Sequence, residues 1–381
     1  MTASKSRSRK PPSLVLGIPK ERKVHEGRIG MTPEGVRRAV SLGAAVLVEK
    51  GAGAISGYPD AAYRAAGARL AGAREIWKRA DLVVKIKEPV GPELGWMRPG
   101  QALFCYLHLA PNPALTSALL RKRIFSIDYE HVVLADGRAP LLYPMSDVAG
   151  HLSLVLGAYY LACHPRGRGV LLGGLSGART GEVVVIGAGM VGRAAAREAS
   201  AIGARVVVLD RSRAALARVR RELGPNVEVI RSTAASVARA VSRADLLIGA
   251  VYSRGERAPK IVTRRMVREM KPGAVVMDIA IDQGGCVETS RPTTHDDPVY
   301  VRDGVIHYAV TNMPGTVPKT STPALTSATL PYVERLVRHG VAGAVARFPE
   351  VARAVNTWEG LLVHPGVRRS LPQLARARGG R

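Results

Sequence analysis

Residues 183–192 read Val183-Val184-Val185-Ile186-Gly187-Ala188-Gly189-Met190-Val191-Gly192, and residues 204–210 read Ala204-Arg205-Val206-Val207-Val208-Leu209-Asp210. An apolar run that enters a Gly-x-Gly-x-x-Gly turn, a helical stretch, and a second apolar run ending on an acid together form the pattern of a βαβ dinucleotide cradle. Each glycine has its own task. Gly187 permits the tight turn, Gly189 lets the backbone approach a pyrophosphate, and Gly192 lets the helix lie close to the strand. The helix N-terminus then presents unpaired N–H donors to the phosphates. Asp210 stands 18 residues past Gly192, where a carboxylate accepts hydrogen bonds from both ribose hydroxyls and repels a 2′-phosphate. Arg211 and Arg213 follow it and favour the opposite choice, since arginines there receive a 2′-phosphate. The acid leads to NAD as the expected cofactor, with Arg211 among its contacts. Glycines alone would be a weak signal; the ordered strand, turn, helix, strand and acid carry the reading.

A chain of 381 residues is too long for one such domain and long enough for two, each with its own core. It is 46% apolar, and no apolar run approaches the roughly 18 to 20 residues that span a bilayer. The opening Met1–Pro12 is polar and basic without an apolar stretch, so it is expected to be a disordered tail and not a secretory signal, which points to the cytoplasm. Three scattered cysteines, Cys105, Cys163 and Cys286, fit neither a disulfide framework nor a zinc site, and reduced thiols are expected. The nine histidines include none in His-x-x-x-His spacing beside an acid, so no metal is expected. Lysine and arginine number 56 against 30 acids, a net charge of +26. The basic residues are spread through helical stretches and aromatics make up only 4%, too few for a nucleic-acid stacking platform. The charge reads as a solvated surface that attracts carboxylate substrates.

Periodicity extends the α/β pattern in both directions. Leu14–Ile18, Ala45–Glu49, Leu82–Lys85 and Ile124–Tyr129 read as strands, and Pro33–Leu42, Ala73–Arg79 and Pro113–Arg123 as helices. A long helix is expected over Pro144–Cys163, further strands over Asp245–Val251 and Ala274–Asp278, and a helix from about Ala324 to Arg338 after a polar, proline-rich stretch. The tail Ala375–Arg381 is basic and glycine-bearing and is expected to fray.

Several strings outside the glycine turn carry a family resemblance. They are Gly17-Ile18-Pro19-Lys20-Glu21 leading to Arg28 and Met31-Thr32-Pro33, then Val84-Lys85-Ile86-Lys87-Glu88-Pro89, Tyr106-Leu107-His108-Leu109-Ala110 and Pro144-Met145-Ser146-Asp147-Val148-Ala149-Gly150. The second half adds Asp278-Ile279-Ala280-Ile281-Asp282-Gln283-Gly284-Gly285-Cys286, Thr311-Asn312-Met313-Pro314-Gly315 and Ala324-Leu325-Thr326-Ser327-Ala328-Thr329-Leu330-Pro331-Tyr332-Val333. In order and spacing, over roughly residues 14 to 365, the chain resembles the alanine dehydrogenase and transhydrogenase α-subunit family. The resemblance implies an α/β protein of two Rossmann-like domains. The NAD-binding domain (143–312) is inserted in a discontinuous substrate domain (1–142 and 313–381), with the active site in the cleft between them. It also implies reversible oxidative deamination of L-alanine to pyruvate and ammonia, and a homo-oligomer, a hexamer in that family.

Carried over residue by residue, the resemblance makes Arg28 the clamp on the substrate carboxylate, where a guanidinium can form a planar bidentate pair. Lys87 meets the carboxylate or carbonyl oxygen, with Lys85 the competing assignment on the same strand face. His108 exchanges protons with the carbonyl or carbinolamine oxygen, although a lone histidine after an apolar run is often a hydrogen-bonded core residue. Asp282 activates water against the imine; its plainer reading is a turn former. Met145 is an apolar wall for a methyl-sized side chain, Ser146 and Ser232 contact the cofactor, and Asn312 with Met313 lies beside nicotinamide and substrate. His25-Glu26-Gly27 and Val251-Tyr252-Ser253-Arg254-Gly255 depart from the family pattern near the expected cleft, which leaves room for another amino acid as substrate. The rival role is an NAD(H)-binding subunit similar to that of proton-translocating transhydrogenase.

Overall fold

The computed structural model describes residues 14–251 and 257–376. The expectations for the opening tail, for residues 252–255 of the departing loop and for most of the basic C-terminal tail lie outside the described residues. The chain divides into two compact units, one built from both chain ends and one from Met145–Thr316 between them.

The first unit holds an eight-stranded sheet. Its strands are β1 (Val15–Ile18), β2 (Ala45–Glu49), β3 (Arg69–Ala71), β4 (Leu82–Val84), β5 (Ala102–Cys105) and β6 (Phe125–Asp128), completed after the inserted unit by β14 (Val355–Trp358) and β15 (Leu361–Leu362). The spatial order is β15-β14-β6-β5-β4-β1-β2-β3. The pairs from β6 to β3 are parallel, whereas β14 runs antiparallel to β6. Winding therefore proceeds one way from β1 to β2 and β3, and the other way to β4, β5 and β6. That reversal leaves a crevice beyond the carboxyl ends of β1 and β4, where open α/β sheets collect ligands. One face packs Leu47, Val83 and Leu103 against Ile76, Trp77, Leu115 and Leu119, and against Leu362, Val367 and Leu371 from the returning chain.

The second unit holds a seven-stranded sheet in the order β12-β13-β11-β10-β7-β8-β9. Its strands are β7 (Glu182–Ile186), β8 (Arg205–Asp210), β9 (Val227–Arg231), β10 (Leu246–Gly249), β11 (Val275–Asp278), β12 (Val299–Arg302) and β13 (Val305–Tyr308). Only the edge pair β12–β13 is antiparallel. The central β7 shows why its sequence is an unbroken apolar run: Val183 and Val185 point into one core with Leu154 and Leu161, and Val184 and Ile186 into another with Val237 and Val241. Burying such side chains on both faces contributes on the order of 1.5–3 kcal/mol each.

Three expectations need correction. The strand expected over Leu82–Lys85 ends at Val84, so Lys85 and Lys87 lie beyond it and strand alternation does not govern them. The helix expected from Ala324 to Arg338 runs from Pro318 to Arg347, with a break in helical geometry at Gly340. Pro318 occupies its first turn, where a missing N–H costs nothing. The strand expected over Asp245–Val251 is limited to Leu246–Gly249, with the Asp245 carboxylate at its start held by Lys271 and the amide of Glu182. No helix among the described residues is long and apolar enough to cross a membrane.

Candidate active site

At the carboxyl edge of the first sheet, the exits of four neighbouring parallel strands carry the polar groups. β1 leads to Glu21, Glu26 and Arg28, β4 to Lys85, Lys87 and Glu88, β5 to Tyr106 and His108, and β6 to Glu130. Arg28 is only 2% exposed. Its Nε donates to Glu26 Oε1 at 2.6 Å, and its Nη2 pairs with Glu26 Oε2. Burial works against the guanidinium charge, but Glu26 holds the group firmly protonated. Glu26, one of the residues that departs from the family pattern, thus orients the arginine.

The two lysines separate clearly. Lys85 is fully buried, donates to Glu93 Oε1 at 2.8 Å and lies 3.5 Å from Glu21 Oε2. Lys87 sits on the bend beyond, with Nζ over the Tyr106 ring at 5.7 Å from its centroid. Tyr106 is anchored by its hydroxyl, which donates to Leu141 O at 2.6 Å, and stacks on His108 with 6.2 Å between centroids.

His108 is partly buried just beyond β5, with both ring nitrogens facing carboxylates. It adopts φ +47°, a left-handed conformation that a non-glycine residue holds only when its surroundings enforce it. Its Nδ1 lies 3.3 Å from Glu88 Oε2 and its Nε2 3.6 Å from Glu130 Oε1. Desolvation disfavours the imidazolium, and Lys87 opposes it, but Glu130 and Glu88 prevail and raise the pKa above its ordinary value. Burial likewise works against ionised Glu88, yet its hydrogen bond to His108 and its ion pair with Lys23 bring its carboxyl down to about 2. The ring is therefore braced at Nδ1 by a permanent anion, an arrangement that fixes its orientation for proton transfer at Nε2.

In the second unit the glycine turn follows β7. Gly187 has φ +108°, and a side chain there would meet Ala250 O at 2.5 Å; a Cβ on Gly192 would lie 1.8 Å from Gly187 O. Above Gly189 an added Cβ would meet nothing within 4 Å. The turn is thus closed toward the protein and open outward at the start of helix Met190–Ala201, which fits a pyrophosphate. Asp210, at the end of β8, already accepts Ala188 N through Oδ2 and Ser212 N through Oδ1, both at 2.7 Å. Each oxygen keeps a second lone pair for a ribose hydroxyl. Ser232 lies at the end of the adjacent β9, its amide donating to Asp210 O at 2.9 Å; Arg211 is exposed beside it.

Asp282 lies in the 3-10 turn Ile279–Gln283 after β11, exposed, with Oδ1 accepting Asn312 N at 3.3 Å. Asn312 has φ +59°, so these two sequence-distant candidates meet in one polar corner. Met145 is buried in the first turn of helix Tyr143–Cys163, Ser146 beside it is partly exposed, and Met313 is buried in the core with Val310 and Ile306. Among the described residues no group of His, Cys, Asp and Glu could hold a metal ion.

Family models described as "Alanine dehydrogenase/PNT, N-terminal domain" and "Alanine dehydrogenase/PNT, C-terminal domain" match residues 17–149 and 153–365. The chain belongs to the alanine dehydrogenase/PNT family. It is 47% identical to an alanine dehydrogenase of Methanococcus maripaludis over 359 residues, covering 94% of this chain and 96% of the relative. A solved L-alanine dehydrogenase superposes with a TM-score of 0.91 at 44% identity, covering 95% of this chain and all of that one. A transhydrogenase from Sinorhizobium meliloti superposes with a TM-score of 0.78 at 27% identity, covering 92% and 99%. The family is an NAD-using one. Within the alanine dehydrogenase/PNT fold, the motif strings assigned no role to Glu21, Glu26, Tyr106 or Glu130. The first three stand inside or beside the quoted strings, but only the tertiary contacts reveal their roles; Glu130 had no signal beyond its place after β6.

Proposed function

We propose that the chain catalyses the reversible, NAD-dependent oxidative deamination of L-alanine to pyruvate and ammonia. The carrying observation is the group at the carboxyl edge of the first sheet: a buried guanidinium, an ammonium and an imidazole held between carboxylates. A small α-keto acid has one permanent anion and one carbonyl, and these groups answer both needs. Arg28 holds the substrate carboxylate, and Lys87 meets the carboxylate or the carbonyl oxygen. NAD, when bound on the Gly187, Gly189 and Gly192 turn with Asp210 at its ribose, supplies the acceptor for the hydride of the alanine Cα. Ser146, Ser232, Arg211, Asn312 and Met313 are assigned to further cofactor contacts, and Met145 to the wall beside the methyl group. Asp282 draws a proton from water as the oxygen adds to the imine. His108 then takes the hydroxyl proton of the carbinolamine while Asp282 returns the proton it drew from water to the amine nitrogen, so that the C–N bond breaks and ammonia departs; in reverse His108 donates its proton to pyruvate.

Asp282→Asn and His108→Ala are each expected to lower kcat by about 10²–10⁴-fold while NADH affinity holds. Near wild-type turnover in either variant overturns the assignment. NADH formation from alanine by the purified chain alone excludes the transhydrogenase-like role, and a panel of amino acids with NAD and NADP tests substrate and cofactor choice. We also infer a cytoplasmic location, in keeping with three free cysteines, and a homo-oligomer, hexameric by family resemblance. Exposed Val155 and Tyr159 on helix Tyr143–Cys163 support association, which light scattering measures.

A further inference from the structure

The reaction scheme leaves a buried carboxyl, Glu21, without a task. It sits at the exit of β1, and its side chain is only 1% exposed. Oε1 accepts the amide of Ile86 at 2.7 Å, and Oε2 accepts the amide of Lys87 at 3.3 Å. Lys85 Nζ lies 3.5 Å from that same Oε2 and donates to Glu93 Oε1 at 2.8 Å, while Glu93 Oε2 accepts the amide of Val90 at 3.0 Å. The bend that carries Lys87 lies past the end of β4, and a carboxylate, not a neighbouring strand, receives the Lys87 amide. Where that carboxylate stands helps decide where the Lys87 ammonium is presented.

We propose that Glu21 is the positioning residue for Lys87: as a carboxylate it accepts the Lys87 amide and holds the bend for substrate, and when protonated it lets the bend relax. The proposal rests on the reading of Lys87 as a substrate-binding group. Protonation turns one oxygen from acceptor to donor, and the longer bond, to the Lys87 amide, is the one given up. The charge balance at Glu21 makes that change accessible near neutrality. Burial is the dominant influence and, with Glu26 and Glu93 against the countering Lys85, pushes its carboxyl up to about 7. The other ionisable groups facing it are Arg28 from the loop after β1, Cys105 at the end of β5 and Tyr129 after β6.

The test is pyruvate binding to the NADH complex of the full chain without ammonium, followed by the fluorescence of bound NADH. In the wild type, pyruvate affinity is expected to fall by about threefold or more between about pH 8 and about pH 6, as Glu21 gains its proton. His108 has the opposite sign, because its protonated ring is the donor pyruvate needs, so loosening in acid is not its signature. Glu21→Gln is expected to weaken pyruvate by about tenfold at the alkaline end, the worth of one charge-assisted hydrogen bond, and to flatten the pH dependence. NADH affinity, and kcat at saturating pyruvate and ammonium, should stay near wild type. Lys87→Ala separates the two layers. If it binds pyruvate as the wild type does, the reading of Lys87 falls and the proposal with it; if it binds weakly while Glu21→Gln keeps wild-type affinity and pH slope, only the proposal falls. Should Glu21→Gln lose its cooperative melt, the same titration in His108→Asn, which lacks the opposing imidazole, decides: affinity that does not weaken toward acid there overturns the proposal.

Discussion

His108 has a carboxylate against each ring nitrogen, and the two do different work. Glu88 is held ionised by His108 and Lys23 and anchors Nδ1, whereas Glu130 faces the Nε2 edge that proton exchange requires. After desolvation, which acts the other way, Glu130 is the largest influence on the His108 pKa and raises it. Under the proposed assignment of His108 as the base for alanine oxidation, the neutral ring is the active form and activity is lost as pH falls through that raised pKa. Glu130→Gln should therefore move the acid limb of the kcat/KM profile for alanine to lower pH; an unmoved limb would mean that Glu130 does not act on the ring. At this scale the motif strings named His108, Lys87 and Arg28, since each lies inside or beside a contiguous signature. The roles of Glu21 and Glu130 escaped notice because contacts between loops leave no spacing rule in the chain, and Glu26 stood out only as a departure from the family pattern.

The glycine turn shows an element whose sequence and packing agree. A Cβ at Gly192 would come within 1.8 Å of the Gly187 carbonyl oxygen, a backbone atom that cannot step aside without opening the turn. Gly192→Ala should thus weaken NADH binding by more than about tenfold while pyruvate-side groups remain intact; calorimetry with NADH measures it, and unchanged affinity would separate the turn from the cofactor. Elements with strong alternation or an apolar run, such as β2, β7 and helix Ala73–Arg79, were legible from sequence because burial imposes their period. The strands β3, β12, β14 and β15 were not, since they lie outside the long apolar runs that mark the central strands. Helix Pro318–Arg347 was read too short at its start because Pro318 and Pro323 look like breakers. Its buried face, including Leu325, Tyr332, Val333 and Leu336, holds it through Pro323 and Pro331, a case of packing overriding local preference.

Across the whole molecule the net charge of +26 sets a field that draws anions toward the surface. Raising salt from about 0.05 to about 0.5 M should raise the KM of anionic pyruvate several-fold with kcat nearly unchanged, because the Debye length shrinks from about 14 Å to about 4 Å; a KM indifferent to salt would confine recognition to the local clamp. The returning C-terminal chain is secured to the first sheet by polar contacts: Ser126 Oγ to Thr357 Oγ1 at 2.7 Å, Asn356 Nδ2 to Asp128 Oδ2 at 3.1 Å and His131 Nδ1 to Asn356 Oδ1 at 2.8 Å. Residues more than 220 positions apart meet there, and no local reading of the chain anticipates such partners. The amino-acid sequence by itself determined the α/β class, the dinucleotide turn, the family and most of the candidate reacting groups, since each is written in short-range periodicity or contiguous strings. The tertiary structure alone decided that Lys85 is an interior ion-pair partner while Lys87 lies over Tyr106, that Glu26 orients Arg28, and which carboxylates set the charge on His108. Those outcomes depend on distance and burial, which exist only once the chain has folded and the strand exits of the sheet lie side by side.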